Sequence, residues 1–233
     1  AKLLEDLYES FKANGATLNK DDKEKYRKLS MDLSMLTLQF DQNALKDKNR
    51  FELLITDENE LSGLPESARD AAAMLAKSKD KNGWLFNLSA PSYIPFMRYS
   101  DKRDLREKMY REYMSVGNKG DEFDNKDIIK KIVNIRLEIA QLMGFKNYAE
   151  YALEHTMAKN SANVYKLLNQ LLEAYKPIAI NEYNAVEGFA LGTEKENITV
   201  MPWDWSYYSE KLRDIRFKVN DEMTRPYFEL SNV

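Results

Sequence analysis

The stretch DNKDIIKKIVNIRLEIAQLMG, residues 124–144, decides the fold class. Ile128, Ile132, Ile135, Ile139 and Leu142 recur at spacings of three and four, which places them one turn apart on a single helical stripe. Asp124 or Asn125 supplies a cap before the stripe, and Gly144 supplies a stop after it. Working outward, the same grammar repeats. Residues 3–13 put Leu3, Leu4, Leu7, Tyr8 and Phe11 on one stripe, ended by Asn14-Gly15. Asn19 caps a second helix with an acidic first turn at Asp21 and Asp22. Its stripe of Tyr26, Leu29, Leu33, Leu36 and Phe40 carries it to about Lys46. Gly at 8 and Pro at 6 are roughly half of ordinary usage, so a chain of long helices with few tight turns is the expectation.

The period changes once. Residues 51–56 (FELLIT) and 84–88 (WLFNL) are short, apolar and bounded by polar residues or Gly, and they read as a small antiparallel pair. Pro65-Glu66 and the Ala-rich run through Ala76, closed by Gly83, predict a helix between them. Pro91 and Pro95 punctuate the next stretch, and Ser100 caps a helix with Leu105, Met109, Tyr110 and Tyr113, closed by Gly117 and Gly120. A short helix is expected over Tyr148 to Leu153. Ser161 then caps a helix bearing Val164, Leu167, Leu168, Leu171, Leu172 and Tyr175, with a kink or break at Pro177. Trp203 to Tyr227 reads as two helices separated before Pro226. Without an internal repeat or clear linker, residues 1–233 form one continuous, mainly α-helical region.

Composition narrows function mostly by exclusion. A formal charge of -3, from 35 Lys+Arg against 38 Asp+Glu, lacks the basic excess of a nucleic-acid binder. Zero Cys excludes disulfides and thiolate metal sites, and no apolar run is long enough to span a bilayer, so neither nucleic acid nor a membrane is an expected partner. The expected location is cytoplasmic, with a periplasmic one open. The chain begins at Ala1 inside an amphipathic pattern, without Met or a cap, which suggests a fragment of a longer protein.

Catalytic patterns are missing. His155 is the one histidine, so Glu154-His155 is at most half of a zinc motif that needs two imidazoles on one helical face. Asp121, Glu122 and Asp124, or Asp57, Glu58 and Glu60, lack the spacing and central Gly of a calcium loop. No Gly-rich phosphate loop and no Gly-x-Ser-x-Gly turn is present. The densest unusual feature is Pro202-Trp203-Asp204-Trp205-Ser206-Tyr207-Tyr208. Aromatic rings with polar tips suit the wall of a peptide or sugar cleft, and equally a core where helices cross.

Several stretches taken together carry a resemblance. Pro202 to Tyr208 followed by Glu210-Lys211-Leu212, and Pro226-Tyr227-Phe228-Glu229-Leu230, resemble the dipeptidyl carboxypeptidase branch of the thimet oligopeptidase-like zinc metallopeptidases. Lys119-Gly120-Asp121, Ile135-Arg136, Leu142 to Ala149 and Met157-Ala158-Lys159 resemble the same family in the same order, as does Pro91 to Tyr113. The resemblance implies a mainly helical enzyme whose two lobes enclose a deep channel and which releases dipeptides from the carboxyl end of short peptides. It also implies zinc in the parent enzyme, held by a His-Glu-x-x-His helix and a later glutamate. Neither the motif nor its ligands occur in this chain, so no catalytic or metal residue is assigned and no cofactor is expected here. The chain then reads as the channel-forming, non-catalytic lobe, with the remaining catalytic part of the polypeptide and short peptides as partners. Trp203, Trp205, Tyr207 and Tyr208 are the substrate-channel candidates. A helical peptide-binding module and a purely structural one are the alternatives.

Overall fold

The computed structural model describes residues 2–194, 198–218, 223 and 227. Among them nine α-helices surround one two-stranded antiparallel sheet, so the mainly helical reading with a small ribbon holds. The chain divides into two compact units, each drawn from two stretches of sequence: residues 1–47 with 117–175, and 48–116 with 176–233.

The first unit holds helix α1 (Lys2–Ala13), most of α2 (Lys20–Arg50), α6 (Lys126–Leu142), α7 (Tyr148–Leu153) and the start of α8 (Ser161–Thr193). Asn19 caps α2 as expected, its Oδ1 accepting from the Asp22 backbone N–H at 2.9 Å. Asn125 stands at the N-cap position of α6 but does not cap it. Its Nδ2 donates instead to the Phe40 carbonyl of α2, and its Oδ1 accepts from Asn43, both at 3.1 Å. The cap bond passes to Asp124, whose Oδ1 accepts from Lys126 N–H at 2.9 Å. Fully buried Asp47 accepts the Gly117 N–H at 2.7 Å and pairs with Lys119 at 3.3 Å. These polar bonds tie residues 117–125, just ahead of α6, to α2, while Ile128, Ile132 and Ile139 are the buried positions of the α6 stripe. The outer helices differ. Leu3, Leu4, Leu7, Tyr8 and Phe11 of α1 stay exposed, and so does the apolar stripe of α8.

The second unit contains strands β1 (Leu53–Ile55) and β2 (Trp84–Phe86), paired Leu53 to Phe86 and Ile55 to Trp84. Helices α3 (Glu66–Ser78), α4 (Ala90–Tyr99), α5 (Arg103–Met114), the end of α8 and α9 (Trp205–Phe217) complete it. The strands are three residues each, shorter than the sequence suggested. Leu53, Ile55 and Phe86 face a core shared with Leu61, Phe96 and Met109. Glu52 is clamped by Lys79 and Lys81, whose hydrogen bonds pull its pKa below the usual carboxylate value. Between β1 and α3, Gly63 turns the chain at φ +83°, and a side-chain carbon there would overlap the Tyr99 carbonyl oxygen.

Four local expectations change. Residues 90–99, expected as punctuation, form α4 with Pro91 in its first turn and Pro95 inside. Pro95 forfeits one backbone hydrogen bond, and burial of its neighbours Phe96 and Met97 offsets that loss. Helix α5 starts at Arg103 rather than directly after Ser100, whose hydroxyl accepts instead from the Lys102 N–H at 3.3 Å. Asn160, not Ser161, caps α8, accepting from Asn163 N–H at 2.9 Å. Helix α8 continues from Ser161 to Thr193 through Pro177, so of the kink or break expected there the break does not occur. The second helix expected before Tyr227 lies, apart from Met223 and Tyr227, outside the described residues, as does most of Pro226 to Leu230.

Candidate functional site

The aromatic cluster sits where the segment 198–204 leads into α9, within the second unit. Asp204 closes the turn: its N–H donates to the Met201 carbonyl at 2.8 Å and its Oδ2 accepts from the Met201 N–H at 3.1 Å. Fully buried, the carboxylate is then gripped by two arginines one turn apart on α5. Arg103 reaches both oxygens through Nε at 3.1 Å and adds Nη2 to Oδ2 at 2.7 Å. Arg106, also buried, donates Nη2 to Oδ1 at 2.8 Å, Nη1 to the Ser100 carbonyl at 2.7 Å and Nε to the Trp203 carbonyl at 3.3 Å. Burial pushes the Asp204 acid up. The bonds from Arg103, Met201 and Arg106 outweigh it and hold the carboxyl below its ordinary value.

That lattice determines where the rings go. The Arg106 guanidinium lies 4.0 Å from the centre of the Tyr207 ring, a stacked cation–π contact in a dry setting. Tyr207 donates its hydroxyl to Asp101 at 2.7 Å, and Asp101 also accepts from Ser62 at 2.7 Å and pairs with Lys211 at 3.3 Å. Burial raises the Asp101 acid, yet the Ser62 and Tyr207 hydroxyls and the Lys211 charge leave its pKa below normal. Tyr208 donates to Glu194 at 2.6 Å. Burial, then the partner carboxylate, drives both phenols well above their usual range. Trp203 is buried beside Tyr110, with the Arg111 guanidinium 4.9 Å from its ring centre. Three of the four candidates are therefore packed, with their polar tips directed at protein groups or, for Trp203 Nε1, at no hydrogen-bond partner.

Trp205 differs. It is 37% exposed and stacks on Tyr183 of α8 with ring centres 5.8 Å apart and planes within 6°. The pair lines an open apolar groove of about 570 Å³ with Ala179, Val200, Met201 and Pro202. Sequence reasoning found Trp205 but missed Tyr183, because a tyrosine on a long helical stripe carries no mark of its distant partner. It also missed Arg103, Arg106 and Asp101, although the one-turn spacing of the two arginines was a usable signal.

The remaining sequence candidates are local structure. His155 Nε2 lies 3.3 Å from Glu154 and 4.0 Å from Glu9, on the surface of the first unit. Asp124 accepts from Gly120 N–H at 2.6 Å, Asp121 from Phe123 N–H at 3.0 Å, and Asp57 from Asn59 N–H at 2.9 Å. Each satisfies the backbone of its own turn. Among the described residues no three His, Cys, Asp or Glu side chains converge as a metal site, and with one imidazole and no thiol this donor set does not fit the zinc of the resembled family.

The wider identity of these elements comes from likeness to other proteins. Oligopeptidase A of Haemophilus influenzae is 38% identical over 238 residues, across 100% of this chain and 34% of that protein. Oligopeptidase A of Escherichia coli is 36% identical over 97% of the chain. The dipeptidyl carboxypeptidase of Escherichia coli is more distant at 29%, again over 100% of the chain. The chain thus spans about a third of the length of these relatives. The pattern of Peptidase family M3 matches residues 96–233, which takes in α5, the Asp204 clasp and all four candidate aromatics. On both grounds, the chain belongs to peptidase family M3.

Proposed function

We propose that this chain is the helical, non-catalytic lobe of a zinc metallopeptidase that cleaves short peptides in a channel, the metal centre being built by polypeptide outside these 233 residues. The observation that carries it is the 38% identity to an oligopeptidase along the entire chain, which nevertheless covers only 34% of that relative. Within the lobe, Trp205 is the channel residue best placed to touch a peptide, since it presents an open ring braced by Tyr183. Trp203, Tyr207 and Tyr208 are instead buried in the apolar cores of the same unit. Of the two cleavage modes, release of carboxyl-terminal dipeptides follows the sequence resemblance, whereas the higher identity to oligopeptidase A favours cleavage of oligopeptides more broadly. The catalytic remainder of the polypeptide is the lobe's partner, and the setting is cytoplasmic.

Purified alone, the chain should neither hydrolyse short peptides nor retain stoichiometric zinc; metal-dependent turnover by the chain alone defeats the proposal. Joined to its catalytic part, hydrolysis of a carboxyl-amidated peptide would separate the modes, because a dipeptide-releasing enzyme reads the free carboxylate. The apolar groove favours one rival, a non-catalytic peptide-binding module. Titration calorimetry on the isolated chain decides it: heat from a mixed peptide set that Trp205→Ala abolishes supports the module, and none removes it.

A further inference from the structure

Among the described residues of the first unit, helix α8 leaves an apolar face uncovered. In the first unit Tyr165, Leu167, Leu168, Leu171, Leu172 and Tyr175 are 43–65% exposed. At 100° per residue these six occupy one side of the helix, while Lys166, Asn169, Gln170 and Glu173 occupy the other. Together they form a continuous stripe of six large apolar side chains, each more than two-fifths exposed, unlike the scattered single apolar residues ordinary on a monomer surface. A surface this size and this free of charge is built to be covered. The polar side carries one Lys and one Glu rather than the Lys/Arg-rich edge of a helix that lies on lipid, so a bilayer is a poor occupant.

We infer that this face of α8 is an intramolecular interface, seating an apolar surface of the polypeptide that family relatives possess beyond the third matched by this chain. The inference rests on the proposed function for the existence of that polypeptide. The length argument favours it over a second copy: the relatives carry about two thirds of their residues outside the matched region. An apolar face on the matched part can therefore be covered within one molecule.

The chain contains no cysteine, so a single introduced thiol is unique within it. The test places Leu172→Cys, and on the opposite side Lys166→Cys as control, both in the isolated chain and in a chimera where the chain replaces its matching third of Haemophilus influenzae oligopeptidase A. Labelling by a water-soluble maleimide is timed, with the chimera lacking an added cysteine as background. In the isolated chain both thiols should react at similar rates, with sedimentation showing a monomer. In the chimera the thiol at 172 should react at least ten-fold more slowly than that at 166. Equal rates in the chimera overturn the inference, as does a dimer of the isolated chain that protects position 172 in proportion to its concentration. A chimera with the unaltered chain that fails to fold also counts against it, because a matching seat is what the inference asserts. Peptide hydrolysis by the chimera separates the two claims: an open thiol in an active chimera removes only the interface, and a protected thiol in an inactive one removes only the peptidase reading.

Discussion

Asp204 concentrates the energetic risk of the second unit. Its carboxylate and the Arg106 guanidinium are both fully buried, and neutralising Asp204 leaves the buried Arg106 guanidinium without its charge partner. Asp204→Asn should therefore destabilise the chain by about 3–5 kcal/mol, read as a fall in the urea midpoint at unchanged slope. The same group gives the pH dependence. With the Asp101 and Asp204 acids held below their ordinary values, their stabilisation is present above the unfolded carboxylate value near 3.9 and is lost as pH falls through the lower folded values. The urea midpoint should accordingly drop on acidification below about pH 4, less steeply in Asp204→Asn. Gly63→Ala, forced into a left-handed backbone against the Tyr99 carbonyl, should cost about 1–3 kcal/mol in the same assay. At this scale the sequence was hard to read. A turn Gly or an N-cap Asn announces itself locally, as Asn19 does, whereas Asn125 looks like a cap and spends its side chain on another helix.

The entry to helix α9 holds two tryptophan environments close in sequence and apart in consequence. Trp203→Ala just before it should cost about 3–5 kcal/mol as a buried aromatic truncation. Trp205→Ala should cost about 1 kcal/mol, the worth of one stacked pair, while weakening peptide processing by the joined enzyme through a higher KM. Thermal unfolding of both variants, set beside peptide kinetics for the second, checks the contrast. Elements were more legible than residues. Period 3.6 stripes placed α1 and α6 nearly to the residue and α2 to within four residues of its end, the short helix expected over Tyr148 to Leu153 is α7, and the switch to short apolar runs found the ribbon. What failed was proline as a helix boundary: Pro95 and Pro177 each sit inside a helix. A missing hydrogen bond is a local penalty that the sequence shows, and burial of Phe96 and Met97 is a tertiary gain that it hides.

For the molecule as a whole, helical class followed from scarce Gly and Pro and repeated stripes, but covered and open stripes look identical in one dimension. The Ile128–Ile139 row is buried and the Tyr165–Tyr175 row is not, although both have the same spacing. Each unit is also discontinuous, assembled from one early and one late stretch of chain. A ribosome emits roughly 5–20 residues per second, so residues 1–47 wait several seconds for 117–175 to emerge behind them. During that interval α2 holds out the Asp47 carboxylate and the Phe40 carbonyl with their eventual donors, Gly117 and Asn125, still unsynthesised. Nascent chains stalled near residue 116 should thus be open to proteases and to chaperone capture, and a nick between the two stretches severs a unit's halves rather than freeing an intact domain.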